Sequence, residues 1–223
     1  MIRFLTIAVI IQDESGLLCF SSSPLGSRLL NPSLFAPTVR LRLFSLLCVL
    51  VLAFVGFETH AVAAPPAIGD KAADFTLKSI DGEDVALAAV LRQGPTVLIV
   101  LRGYPGYQCP LCTRQVADFL KHADEIKARR GQVLMIYPGP AANLRARAQE
   151  FIRGKTLPEN FTLLVDPAYA FVNAYGLRWD APNETAYPST FVIDQNSKVR
   201  FARISKSHGD RARAADIVKA LSQ

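Results

Sequence analysis

Residues 96–113 read TVLIVLRGYPGYQCPLCT and join a run of apolar residues to a closely spaced pair of cysteines. The run from Thr96 to Leu101 is rich in β-branched residues, which is typical of a short strand buried on both faces. Apolar residues at helical spacing follow from Cys109 to Arg130. The sequence therefore predicts that Cys109 and Cys112 lie where a central strand gives way to a helix.

Strand and helix patterns alternate on both sides of this stretch. Upstream, two extended segments at 73–80 and 83–87 are separated by the turn-forming pair Asp81-Gly82, which predicts an N-terminal β-hairpin. Downstream, the patterns predict strands at 132–137 and 162–165, helices at 141–153 and 168–175, a second hairpin from 190 to 204, and a last helix at 210–221. This order indicates an α/β fold with a central mixed β-sheet flanked by helices.

The composition indicates one globular domain with an appendage. The chain has 223 residues, of which 50% are apolar, so a full hydrophobic core is within reach. The formal net charge is +6, but the basic residues are spread along the chain and form no dense cluster with aromatic residues. We therefore expect no nucleic-acid partner.

The most apolar segment, Leu43 to Phe57, has the layout of a secretory signal, with two arginines before it and small residues after it. About 15 apolar residues at about 1.5 Å each are too short for a hydrocarbon core of about 30 Å. The sequence predicts an N-terminal extension and signal peptide over residues 1–64, cleaved near Ala63 or Ala64. Residues 65–223 would then form an exported, periplasmic domain, tethered to the membrane only if the segment stays uncleaved.

Export makes Cys109 and Cys112 the thiols of the mature domain, because Cys19 and Cys48 lie in the extension. A disulfide that closes a loop of two intervening residues constrains the unfolded chain very little, so the pair is poorly suited to structural stapling. A helix N-terminus lowers a thiol pKa through its unpaired amides and its partial positive charge. The pair is therefore predicted to be redox-active.

Other cysteine chemistries find weaker support. A zinc site needs about four nitrogen or sulfur ligands, and the sequence has no second cysteine pair and no histidine cluster. Covalent haem attachment needs a histidine after the second cysteine, where Thr113 stands. A copper-carrying pair with His208 as third ligand stays open as a minor alternative. We otherwise expect no metal and no cofactor, and either Arg102 or Arg114 as a further cation near the sulfur atoms.

Six different short motifs are spread along the domain. They are Gly-Asp at 69–70, Ala-Asp-Phe at 73–75, Asp-Gly at 81–82, Cys-Pro-Leu-Cys at 109–112, Asp-Pro at 166–167 and Tyr-Pro-Ser-Thr-Phe-Val-Ile-Asp at 187–194. On these motifs, the chain from about Ala67 onward resembles the AhpC/TSA (peroxiredoxin, redoxin) branch of the thioredoxin-like superfamily. The resemblance implies a thioredoxin-like fold and a thiol-dependent antioxidant oxidoreductase.

The family's Pro-x-x-x-Thr/Ser-x-x-Cys loop aligns its proline with Pro105 and its peroxide-reactive cysteine with Cys112. Cys109 then takes the threonine position, and Thr113 matches the residue after the reactive cysteine. The resemblance implies that Cys112 attacks the peroxide, becomes a sulfenic acid and is resolved to a disulfide by Cys109. A peroxide substrate and an unidentified thiol reductant are the implied partners.

Two departures from that family favour an alternative. Pro188 stands where the family has an activating arginine, and Gln115 replaces a glutamate three residues after the cysteine. A proline at this place resembles the cis-proline of thioredoxins and periplasmic thiol-disulfide oxidoreductases; otherwise it is a trans proline that opens an edge strand. In the alternative, Cys109 attacks a protein disulfide and Cys112 resolves the mixed disulfide.

The loop 177–187 is expected to approach the site from the other side. Its Trp179 either contacts the substrate or covers the site, and Tyr104 and Tyr107 either line a pocket or pack. Five phenylalanines are expected in the core, namely Phe119, Phe151, Phe161, Phe171 and Phe191.

Overall fold

The computed structural model describes residues 63–222. Its strands are β1 (Thr76–Ser79), β2 (Asp84–Ala86), β3 (Thr96–Val100), β4 (Gln132–Gly139), β5 (Phe161–Pro167), β6 (Ser189–Ile193) and β7 (Val199–Ile204). They form one sheet in the order β2-β1-β5-β4-β3-β6-β7. The strands β3, β4 and β5 run parallel, and the outer strands join them antiparallel. The predicted mixed sheet and its N-terminal hairpin are confirmed.

The helices are α1 (Leu87–Leu91), α2 (Pro110–Lys121), α3 (Ala123–Ala128), α4 (Leu144–Phe151), α5 (Ala170–Ala174) and α6 (Ala214–Ala220). The single helix predicted from 109 to 130 is wrong, because the chain breaks at His122. The His122 imidazole Nδ1 lies 2.9 Å from the carbonyl of Asp118, which a continuous helix would use for the His122 N–H. That N–H donates to Phe119 instead. The short α1 was not predicted.

The core lies on both faces of the sheet because alternate residues of the buried strands point to opposite sides. In β3, Val97 and Ile99 pack with residues of α2, α3, α4 and α6. Leu98 and Val100 pack on the other face with residues of α1 and α5. All five residues of β3 are buried, as predicted, and so are the five phenylalanines expected in the core.

The pairing of β3 with β6 decides which residues meet at the end of the central strand. The two strands are antiparallel, with Val100 opposite Ser189. The loop that leaves β3 therefore starts beside Pro188, although the two segments are far apart in sequence. Within residues 63–222, no helix has both the length and the hydropathy to cross a bilayer. The apolar segment Leu43 to Phe57 lies outside the described residues.

Candidate thiol site

Cys109 is the N-cap residue of α2 and has extended backbone angles, with φ −80° and ψ 113°. Its sulfur accepts a hydrogen bond from the backbone N–H of Cys112 at 3.4 Å, as a serine or aspartate oxygen does at other helix starts. Pro110 follows at the first helical position, where a fixed φ is favourable and no N–H is needed. The Cys-Pro-Leu-Cys sequence thus places one sulfur at the positive end of a helix.

Both sulfur atoms are buried. Cys109 is 3% exposed, Cys112 is 1% exposed, and both are free thiols. Cys112 packs in the core among Val116, Phe119 and the strand residues beneath α2. Cys109 is thus the slightly more exposed of the two thiols.

The two thiols have opposite pKa shifts. Hydrogen bonding from the Cys112 side chain lowers the pKa of Cys109 to about 5, in spite of the opposing effect of burial, and the Cys112 N–H and the Arg211 charge lower it further. Hydrogen bonding to Cys109, together with burial, raises the pKa of Cys112. Cys109 is therefore a thiolate at neutral pH and Cys112 is a protonated thiol, so these pKa values favour Cys109 as the attacking sulfur, not Cys112 as the motif alignment implied.

The cation beside Cys109 is Arg211, which sequence reasoning missed. Its Nη2 lies 3.9 Å from the Cys109 sulfur, its Nη1 donates to Gln115 Oε1 at 2.8 Å, and its Nε donates to the His208 carbonyl at 2.8 Å. Arg211 is 102 positions from Cys109 in a segment without periodicity. No local pattern in the sequence points to it.

Arg102 and Arg114 do not take the place expected of them. The Arg102 side chain is buried and donates to both carboxylate oxygens of Glu184, at 2.7 and 3.0 Å, and to the Tyr107 hydroxyl at 2.5 Å. Arg114 is exposed on α2. No hydrogen bond among the described residues joins either guanidinium to a sulfur atom. The buried Arg102 guanidinium pairs instead with Glu184. Among residues 63–222, Glu184 is the only residue with a carboxylate oxygen within 4.0 Å of it.

The loop 177–187 approaches the site as predicted, through Glu184. Burial disfavours the charge of this carboxylate, but hydrogen bonds from Arg102 and His208 outweigh it and lower the pKa of Glu184. The His208 Nε2 lies 2.9 Å from Glu184 Oε1. Trp179 stacks on Tyr187 with ring centres 4.8 Å apart and lies 5.1 Å from the His208 ring. These contacts fix the loop against the segment that carries Arg211.

Pro188 differs from both expectations. Its peptide bond with Tyr187 is trans, so it does not match a cis-proline. It also does not open an edge strand, since β6 lies between β3 and β7 and the Pro188 carbonyl accepts the Ser205 N–H at 2.8 Å. Because β6 pairs with β3 on one side and with β7 on the other, Pro188 precedes a central strand of the sheet.

The remaining predicted residues lie around the start of α2. Thr113 is half-buried, and its hydroxyl donates to the Cys109 carbonyl at 3.4 Å. Pro105 is half-buried in the loop before the cysteines. Gln108 joins that loop to the sheet and to α4, since it accepts from the Tyr137 hydroxyl at 2.7 Å and donates to the Arg147 carbonyl at 2.9 Å. The site is thus enclosed by loops on both sides.

The copper alternative needs a third ligand beside the two cysteines. The His208 imidazole is hydrogen-bonded to Glu184. Among residues 63–222, no group of three or more histidine, cysteine or acidic side chains is arranged to hold a metal ion. The geometry of the described residues therefore gives copper binding no support.

The cysteine pair lies at the start of a helix that follows the central strand of a mixed sheet. This arrangement defines a thioredoxin-like thiol protein. The AhpC/TSA family model matches residues 68–202, and the chain belongs to that family. The predicted family and the predicted α/β thioredoxin-like fold are confirmed.

Individual relatives agree with this assignment. A Mycobacterium tuberculosis protein assigned as a peroxiredoxin is 30% identical over 140 residues, which are 60% of this chain and 83% of that protein. The thiol-disulfide oxidoreductase ResA of Geobacillus thermodenitrificans is 27% identical over 167 residues, or 72% of this chain and 85% of ResA. The crystal structure of peroxidoxin BcpB from Mycobacterium tuberculosis superposes with a TM-score of 0.56 at 26% identity, covering 70% of this chain and 96% of BcpB.

Proposed function

We propose that the domain reduces hydroperoxides with the dithiol of Cys109 and Cys112, as a thiol-dependent oxidoreductase of the AhpC/TSA family. The observation that carries the proposal is the Cys109 sulfur, which caps a helix N-terminus, has a pKa of about 5 and lies 3.9 Å from the Arg211 guanidinium. The thiolate is the reactive form of cysteine toward peroxides. Family membership and the peroxiredoxin relatives support the same chemistry.

The two sulfur atoms have different tasks. The Cys109 thiolate attacks one peroxide oxygen, the O–O bond breaks, and Cys109 becomes a sulfenic acid while the other oxygen leaves and takes up a proton to form an alcohol or water. The Cys112 sulfur then attacks the Cys109 sulfur, a disulfide forms, and the sulfenic oxygen leaves as water with the Cys112 proton. Two electrons pass from the dithiol to the peroxide, and an external thiol reductant restores them.

Thiol-disulfide exchange is the second candidate. The low pKa of the first cysteine and the similarity to ResA favour it. Its substrate would be a protein disulfide, so part of a polypeptide chain would have to reach the Cys109 sulfur. Because Cys109 is only 3% exposed, a small peroxide is a better fit to this site than a polypeptide. Peroxide reduction is therefore the better supported activity.

Rapid mixing of the reduced protein with hydrogen peroxide tests this proposal, with Cys109→Ser and Cys112→Ser as matched variants. We expect fast oxidation of the parent protein, none in Cys109→Ser, and a sulfenic acid trapped on Cys109 in Cys112→Ser. Reaction that survives Cys109→Ser and vanishes in Cys112→Ser would reassign the attack to Cys112. Oxidation no faster than that of a free thiol, together with rapid reduction of a protein disulfide, would assign the site to exchange.

We also propose that the domain is exported, with cleavage near Ala63 or Ala64 and a thiol reductant in the same compartment. The apolar segment Leu43 to Phe57, followed by small residues, supports this proposal. N-terminal sequencing of the protein from its own cells should find a start at residue 64 or 65 in an extracytoplasmic fraction. A cytoplasmic protein that retains residues 43–57 would contradict it.

A further inference from the structure

Gln108 is the residue directly before Cys109, and both ends of its side-chain amide are held. Its Oε1 accepts a hydrogen bond from the Tyr137 hydroxyl on β4 at 2.7 Å, and its Nε2 donates to the Arg147 carbonyl on α4 at 2.9 Å. Because a backbone carbonyl only accepts, the amide nitrogen must face Arg147 and the amide oxygen must face Tyr137. The loop that leads to Cys109 is thus attached to a strand and to a helix at its last residue.

Tyr137 is a buried donor that stays protonated. It lies on the face of the sheet that α2 covers, and its ring packs on Phe151 of α4 with ring centres 5.4 Å apart. Burial, followed by the charge of Cys112, raises the pKa of Tyr137. The phenol therefore keeps its proton at every pH at which Cys109 titrates, and it can donate to Gln108 throughout that range.

The charged side chains beside these contacts pair with each other. Arg147 and Glu150 form an exposed ion pair at 3.0 Å. A hydrogen bond from Arg147, and to a smaller extent one from Gln108, lowers the pKa of the Glu150 carboxyl. The hydroxyl of Tyr137 takes no part in this pair. Its removal changes no charge, so a change at Cys109 in a variant without it reports on position.

The position of Cys109 determines the hydrogen bonds of its sulfur. The sulfur accepts the Cys112 N–H at 3.4 Å while Cys109 has the extended backbone angles of an N-cap residue. This bond lowers the pKa of Cys109, after the larger effect of the Cys112 side chain. Both effects depend on where the Cys109 sulfur lies relative to Cys112. A side chain that restrains the preceding residue can therefore act on the thiolate without touching it.

We infer that Gln108, held by the Tyr137 hydroxyl, is a positioning residue that keeps Cys109 in its N-cap conformation through both steps of the reaction. This inference rests on the proposed peroxide reduction. In the first step, the conformation presents the thiolate to the Cys112 N–H. In the second step, it keeps the sulfenic acid within reach of the Cys112 sulfur, so that the disulfide closes. A second peroxide molecule would otherwise take two more electrons from the Cys109 sulfur and leave a sulfinic acid and water.

The test uses the full-length chain with Tyr137→Phe and Gln108→Met. Phenylalanine retains the ring against Phe151, and methionine retains the approximate length of the side chain without its two hydrogen bonds. We expect each variant to raise the midpoint for alkylation of Cys109 by about half a pH unit or more, measured by peptide mass spectrometry. The double variant should shift the midpoint no further than Gln108→Met alone, because both substitutions remove the same bond.

The reaction with hydrogen peroxide gives two further readouts. At pH 5 each variant should react more slowly by about twofold or more, because a smaller fraction of Cys109 is ionised, whereas at pH 8 the rates should match that of the parent protein. With excess peroxide at pH 8, each variant should accumulate about twice as much sulfinic acid on Cys109 or more, seen as the gain of two oxygen atoms in the peptide mass.

Tyr175→Phe is the matched control. Tyr175 is also buried, and its hydroxyl donates to the Ala73 carbonyl at 2.5 Å, but it packs on the other face of the sheet. This substitution deletes a comparable hydrogen bond far from the loop that leads to Cys109. The alkylation midpoint, the rate at pH 5 and the yield of sulfinic acid should all match those of the parent protein.

The possible results separate this inference from the proposed function. Unchanged midpoints and sulfinic acid yields in Tyr137→Phe and Gln108→Met would overturn the inference, and so would equal shifts in Tyr137→Phe and Tyr175→Phe. Gln108→Met decides the matter alone if Tyr137→Phe does not fold. If the parent protein ignores peroxide but the first two variants still raise the midpoint, the positioning of the thiolate stands. In that case the proposed function fails, and the second-step part of the inference fails with it.

Discussion

The pKa of Cys109 is lowered and that of Cys112 is raised at the start of α2, and this difference decides which cysteine reacts. Hydrogen bonding from the Cys112 side chain is the largest cause of the low pKa of Cys109, ahead of the Cys112 N–H and the Arg211 charge. The same interaction keeps Cys112 protonated and therefore ready to release water from a sulfenic acid. Each cysteine thus prepares the other for its step.

This division of labour predicts how Cys112 variants behave. Cys112→Ala removes the side-chain donor and should raise the Cys109 pKa from about 5 by about one to two units, whereas Cys112→Ser retains a donor and should raise it less. The ultraviolet absorbance of the thiolate as a function of pH measures both. Identical midpoints in Cys112→Ala and the parent protein would show that the helix and Arg211 set the pKa without Cys112.

Arg102 and Glu184 form a second buried charge pair next to the site. Their side chains are 3% and 11% exposed, and two hydrogen bonds join them. Glu184→Ala leaves the guanidinium buried without its counter-charge, so we expect a loss of about 3 kcal/mol or more in the free energy of unfolding, measured in urea. Asp180→Ala is the control, because this carboxylate in the same loop is 91% exposed. Equal stability losses in the two variants would contradict the prediction.

At the scale of elements, the loop between β3 and α2 is fixed to the end of β4. Gly103 has φ +68°, and a Cβ built on it would lie 1.9 Å from the Pro138 carbonyl oxygen. The adjacent Tyr104 N–H donates to that carbonyl at 3.0 Å. Only glycine allows both the backbone angle and the close approach, so Gly103 holds the start of the loop that leads to Cys109 against the end of β4.

Gly103→Ala should therefore disturb the site as well as the fold. We expect a loss of about 2 kcal/mol or more in unfolding free energy, because the left-handed angle and the backbone contact must both be relieved. The peroxide rate should fall in the protein that remains folded. Gly209→Ala is the control, since a Cβ there meets no atom within 4 Å. A Gly103→Ala protein with the parent's melting temperature and rate would refute the argument.

The elements differ in how far the sequence predicts them. The β3–α2 junction is predictable because a β-branched apolar run and the Cys-Pro start are both local patterns. The break at His122 is not, since it depends on which carbonyl the imidazole occupies. The position of Arg211 beside Cys109 depends on a contact between distant segments of the chain, and so does the central position of the strand after Pro188. Sequence periodicity carries no information about such contacts.

At the scale of the whole molecule, the Cys109 charge links the redox state to folding stability. In the unfolded chain a cysteine has a pKa of about 8.5, whereas folding lowers the pKa of Cys109 to about 5. A group with a depressed pKa stabilises the fold fully above its unfolded pKa, and this stabilisation disappears as the pH falls through the folded pKa. The reduced protein should therefore gain stability from this group as the pH rises from 5 toward 8.

Oxidation removes that contribution, because a disulfide sulfur does not ionise. From pH 5 to pH 7, the unfolding free energy of the reduced protein should rise by roughly 2 kcal/mol relative to the oxidised protein. Urea unfolding of both forms at the two pH values measures the difference, and reduced Cys109→Ser, which lacks the titrating group, should follow the oxidised protein. The effect of loop closure by the disulfide is nearly independent of pH and cancels in this comparison. A reduced protein whose advantage stays constant across this range would mean that the thiolate is stabilised no better in the folded chain than in the unfolded one, and the electrostatic basis for attack by Cys109 would be lost.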